Sequence, residues 1–109
     1  MGVELKVVCP EGSVPAWDKV RDILAQQGIP VQLRMIDGVL AFPDEEPPDS
    51  WRELRLSAPA GMVTVRREPS HLSLIVWGNA DGPLLEVRNA LALAYADLSG
   101  GQVVSDLAQ

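Results

Sequence analysis

Over residues 3–9 apolar and polar positions alternate. Val3, Leu5, Val7 and Cys9 fall on one side of an extended chain and Glu4, Lys6 and Val8 on the other, the period of a half-buried strand. Pro10, Glu11, Gly12 and Ser13 break the pattern, and Ser13 is expected to cap a helix with Pro15 in its first turn, where a missing N–H costs nothing. Val14, Trp17, Val20, Ile23 and Leu24 then recur at helical spacing, with Asp18, Lys19, Arg21, Asp22 and Gln26 on the opposite side. Gly28 followed by Pro30 ends this helix.

Alternation returns on both sides of Asp37-Gly38, a pair that specifies a tight hairpin with positive φ at both turn positions. Pairing Ile36 with Val39 sets Met35 against Leu40 and Leu33 against Phe42, which predicts one continuous apolar face. Three more alternating segments follow, around Leu54 and Leu56, Val63 and Val65, and Leu74 and Val76. The turn at Glu68-Pro69-Ser70-His71 is expected to be type I, because proline cannot take the positive φ of a two-residue primed turn. It sets Arg67 against Leu72, Val65 against Leu74 and Val63 against Val76. The turn at Ala58-Pro59-Ala60-Gly61 sets Leu54 against Val65 and Leu56 against Val63, so two separate turns agree on one buried face.

A second helix is marked by Leu84, Val87, Leu91, Ala94 or Tyr95, and Leu98, and Gly100-Gly101 ends it. The expected architecture is α+β, a curved antiparallel sheet with two helices on one face in the order β-α-β-β-β-β-β-α, its last five strands a meander. Residues 1–102 make one domain; residues 103–109 are a tail or a short edge strand around Val103. This order of elements resembles the plan of TATA-binding-protein-like and helix-grip domains. The resemblance is one of topology, and what it implies is that such a domain can hold a hydrophobic molecule between sheet and helix.

A chain of 109 residues with 47% apolar and 22% charged positions can bury one core, and no apolar run is long enough to cross a bilayer. The first residues lack a basic segment followed by an apolar one, and the single cysteine cannot close an internal disulfide, so the expected setting is the cytoplasm. A net charge of −6 works against a nucleic-acid partner. Part of the surplus is local, because Asp44, Glu45, Glu46 and Asp49 share the loop at residues 44–50 with two prolines, a solvated loop or a docking epitope for a basic partner.

The strand, Gly-rich turn and helix start at residues 71–89 invite comparison with a phosphate cradle. Gly78, Gly82 and Pro83 supply neither the Lys-Ser/Thr pair of a Walker loop nor the three spaced glycines of a dinucleotide fingerprint. Asp81 would also set a carboxylate against the anion, whereas aspartate before a first-turn proline is an ordinary helix cap. Cys9 precedes a helix, but Pro15 stands where a phosphatase-like loop needs arginine, so it is expected to be a buried structural thiol. His71 is the one histidine and is expected at an exposed hairpin tip. No motif for catalysis, metal or cofactor emerges.

The far face of the predicted sheet is more informative. It carries Arg55, Met62, Thr64, Arg66, Ser73, Ile75 and Trp77, with Glu53 against Arg66. Arg55, Met62, Arg66, Ile75 and Trp77 form the candidate binding patch, since tryptophan, methionine and arginine are enriched where proteins meet. The expected function is a non-catalytic interaction module, a homodimer or the partner of another protein. The alternative is a small hydrophobic ligand between sheet and C-terminal helix, lined by Met35, Phe42, Leu74 and Leu91.

Overall fold

The alternating segments become strands in a computed structural model that describes residues 3–10, 14–69, 71–77 and 81–104. In chain order the elements are β1 (Val3–Val8), α1 (Trp17–Gln26), β2 (Gln32–Ile36), β3 (Val39–Leu40), β4 (Glu53–Ala58), β5 (Gly61–Arg67), β6 (Leu72–Val76), α2 (Gly82–Ser99) and β7 (Gln102–Val104). The fold is α+β. Its open seven-stranded sheet runs β3-β2-β4-β5-β6-β1-β7, with every neighbouring pair antiparallel.

Local turn chemistry accounts for much of the register. Asp37 and Gly38 have φ of 51° and 81°, and Ile36 faces Val39 while Met35 faces Leu40. The ladder between β4 and β5 pairs Leu54 with Val65 and Leu56 with Val63, and that between β5 and β6 pairs Arg67 with Leu72 and Val65 with Leu74. A bond from the Glu68 N–H to the His71 carbonyl closes the second hairpin. Ser70 lies outside the described residues, so the type of that turn does too.

The expected meander is corrected at β3. Instead of pairing with β4, β3 is the outer edge of the sheet, and β2 gives its other edge to β4. Asp37 explains the arrangement: its Oδ1 accepts the Arg52 and Glu53 N–H groups at 2.7 and 2.8 Å, and its own N–H donates to the Glu53 carbonyl. The hairpin turn thereby seats the first residues of β4 beside β2. Those two N–H groups also hold the Asp37 carboxyl below its ordinary pKa.

The continuous apolar hairpin face is corrected as well. A bulge between Leu33 and Met35 inserts Arg34, so Leu33 and Ile36 face the core while Met35 sits opposite Arg55 on the far side. Leu40 and Phe42 are 82% and 75% exposed, and Phe42 lies beyond the end of β3 rather than opposite Leu33.

Both helices cover one face, where Leu5, Leu33, Leu54, Leu56, Val63, Val65, Leu74 and Val76 join Trp17, Leu24, Leu91 and Tyr95 in a single core. α2 packs over β1, β5, β6 and β7, and α1 packs against α2. Asp81 caps α2 by accepting the Leu84 N–H at 3.1 Å, and Gly100 ends it at φ 73°. α1 differs from expectation, because its N-cap is Ala16, with no side-chain cap bond, and Pro15 precedes the helix. Ser13 lies outside the described residues.

β7 pairs with β1 through Val103 opposite Val7, so residues 102–104 form an edge strand. Gly101 permits that approach, since a Cβ there would lie 2.1 Å from the Val8 carbonyl oxygen. Gly101→Ala is expected to lift β7 off β1. Hydrogen exchange should show lost amide protection at residues 102–104 with β4, β5 and β6 unchanged; unaltered protection at β7 would refute the steric account.

Candidate functional site

The face of the sheet turned away from the helices follows directly from the register. One row runs Leu40, Met35, Arg55, Thr64, Ile75, Glu4, and the next runs Glu53, Arg66, Ser73, Lys6, Val104. Among the described residues no helix lies over it. Arg55, Met62, Arg66 and Trp77 are exposed there, Met62 at 46% and Trp77 at 56%.

Ile75 is corrected: it is only 7% exposed, and Thr64 and Ser73 are buried with it. These short or branched side chains occupy central strands, and their register neighbours include the longer arms of Arg55, Arg66 and Glu4. The Ser73 hydroxyl donates to the Glu4 carboxylate, and Arg66 donates through Nε and Nη2 to Glu53 at 3.2 and 3.1 Å. Arg55 lies 3.6 Å from the same carboxylate. The face is thus a layer of bridged charges over a buried middle, with apolar side chains standing out at Trp77, Met62 and Leu40.

A second site, missed from the sequence, lies at the end of the helix-covered side. Three segments enclose a cleft of about 770 Å³: Cys9, Pro10 and residues 14–17 ahead of and into α1, residues 46–49 with Trp51, and residues 67–69 with His71 and Leu72. Arg67 is its central cation. Alternation along β5 puts Arg67 on the same side as Val63 and Val65, its guanidinium sits 4.3 Å from the centre of the Trp51 ring, and Nη1 donates to the Asp49 carbonyl at 2.9 Å.

No protein-family model, curated protein or solved structure matches this chain. What the cleft can do must therefore be read from its chemistry.

Cys9 and His71 both line it and both are half-buried, so neither expectation for them holds: the thiol is not sealed in the core and the imidazole is not at an exposed tip. Beneath them Tyr95 is fully buried on α2. Burial drives its hydroxyl well above the ordinary phenol range; Arg67 pulls it back and Cys9 adds to the rise. The Tyr95 hydroxyl, Trp17 Nε1 and Arg67 Nε have no hydrogen-bond partner among the described residues. Proximity of an aromatic pair, an arginine and a cysteine drawn from residues 9–72 is a long-range result that spacing alone does not signal.

The residues expected to line a pocket between sheet and helix do not come together. Leu74 and Leu91 are sealed in the core, Met35 faces the opposite side, and Phe42 stands at the β3 edge. Among the described residues no cluster of His, Cys, Asp and Glu is disposed to hold a metal ion, and no helix is long and apolar enough to cross a membrane.

Proposed function

We propose that the protein is a non-catalytic association module that uses the uncovered sheet face to dock a second protein surface, in its simplest form a second copy. The carrying observation is that both helices lie on one side of the sheet, leaving Trp77, Met62 and Leu40 exposed on the other. Arg55 and Arg66 share that face with Glu53 and Glu4, so a two-fold rotation can set the surface against its own complement. An aromatic side chain projecting from a rigid sheet is the kind of group that carries binding energy.

The free thiol of Cys9 suits a reducing compartment, and the cytoplasm is the proposed setting. The likeness to TATA-binding-protein-like and helix-grip plans is kept as an analogy of topology; the edge position of β3 sets this sheet apart from a simple meander.

Native mass spectrometry and sedimentation over a range of concentrations test the proposal. The wild-type chain is expected to dimerise with rising concentration, and Trp77→Arg is expected to stay monomeric with unchanged circular dichroism. A variant that keeps the wild-type assembly state would remove Trp77 from any interface, and a wild type that stays monomeric throughout would rule out self-association.

A further inference from the structure

On the uncovered sheet face the strand register lays the charges out in a definite pattern. On β4, Arg55 stands in one row and Glu53 in the next; on β1, Glu4 stands in the first of these rows and Lys6 in the second. Arg55 is exposed and the other three are half-buried, so all four reach the surface. β5 and β6 lie between those two strands. Each row therefore carries opposite signs at equal distances from the seam between β5 and β6. At the seam Thr64 stands beside Ile75, and two residues further toward one end Met62 on β5 and Trp77 after β6 are 46% and 56% exposed. Across the seam acid answers base and apolar answers apolar.

We propose that the partner of this face is a second copy, related by a two-fold axis that runs along the strands over the seam, so that Arg55 of each copy meets Glu4 of the other, Glu53 meets Lys6, and Met62 meets Trp77. This rests on the sheet-face reading above and names its partner and its contacts. A half-turn about that axis exchanges β4 with β1 and β5 with β6 while keeping each row, which is how an isologous interface matches a surface to itself. Arg66, held by Glu53 of its own chain, then faces the Ser73 hydroxyl, so no like charges meet. An axis across the strands, between the two rows, also satisfies the four charges, setting Arg55 against Glu53 and Glu4 against Lys6. It carries Met62 and Trp77 to the opposite end of the sheet, however, away from their counterparts. The apolar end decides between the two, because an exposed tryptophan gains most when another apolar side chain removes it from water. Sheets stacked about the first axis keep their strands nearly aligned, the ordinary geometry of packed sheets. The four strands, about 4.8 Å apart, give a contact roughly 20 Å wide, so the dimer belongs among the small, weak interfaces.

Mixing two charge-reversed variants of the full chain tests the axis. At low ionic strength Arg55→Glu and Glu4→Arg are each expected to weaken dimerisation about tenfold, because two like-charge contacts replace two opposite ones. Equimolar mixing is expected to restore association as a heterodimer, in which position 55 of either chain faces the opposite charge at position 4 of the other. Native mass spectrometry identifies that species, since one substitution lowers the chain mass and the other raises it by the same amount. A chain carrying both substitutions is expected to dimerise like the wild type, which keeps the test independent of how either single variant folds. If the wild type dimerises but the mixture associates no better than its components, or if Arg55→Glu associates instead with Glu53→Arg, the proposed axis is overturned while the sheet-face reading survives. A wild type that stays monomeric at every concentration overturns both.

Discussion

Leu74→Ala is expected to lower the free energy of unfolding by about 2–5 kcal/mol, toward the upper end of the range for large-to-small changes in a core. Leu74 is fully buried inside a row that crosses the sheet: Ile36, Leu54, Val65, Leu74 and Leu5 are successive neighbours on β2, β4, β5, β6 and β1. All five are buried. Strands paired on both sides cannot close around a lost side chain without breaking ladder bonds, and α2 lies over β6, so the cavity stays open. Urea unfolding monitored by circular dichroism measures the change. Met62→Ala, on the uncovered face, serves as the control and is expected to change stability by less than about 1 kcal/mol. Similar losses for both substitutions would mean that the outer face is also covered.

What could be read from the sequence depended on how far apart the cooperating residues lie. Asp37-Gly38, Asp81 and Gly100 act within a few residues, through positive φ or one cap bond, and their structures match their local chemistry. The registers of β4 with β5 and of β5 with β6 were legible because short turns leave few alternatives. The edge position of β3 was not, because it depends on Asp37 holding the backbone at Arg52 and Glu53 across an intervening loop. Alternation likewise concealed the bulge at Arg34, since one inserted residue exchanges the faces of everything after it.

The candidate patch shows the same limit. Alternation assigns Ile75 to the outer face, but whether that face is wet at a given point depends on the length of its cross-strand neighbours, and Ile75 is overlaid. Arg88 on α2 is a further case: it is buried, burial lowers its pKa, and its Nε and Nη2 donate to Asn89. Helical spacing gives no sign of this. The cleft was invisible for a related reason, because Cys9, Trp17, Trp51, Arg67 and His71 have no common spacing and meet only when the sheet forms.

Tyr95→Phe is expected to stabilise the protein, by about 1–3 kcal/mol, the opposite sign from most core substitutions. The ring is fully enclosed, and phenylalanine keeps its shape while removing a hydroxyl that has no partner among the described residues. The gain is the desolvation cost of that hydroxyl. A second effect follows from pH. Unfolded tyrosine ionises near pH ~10, whereas burial holds the folded group protonated well above that. The unfolded state therefore releases a proton first, so the wild type keeps its full stability below that point and loses stability as pH rises from there toward the folded pKa. The phenylalanine variant lacks this loss, and its advantage should widen in alkali. Urea midpoints of both proteins at neutral pH and above pH ~10 measure each part separately. A destabilised variant at neutral pH would mean that an ordered water links the hydroxyl to its surroundings.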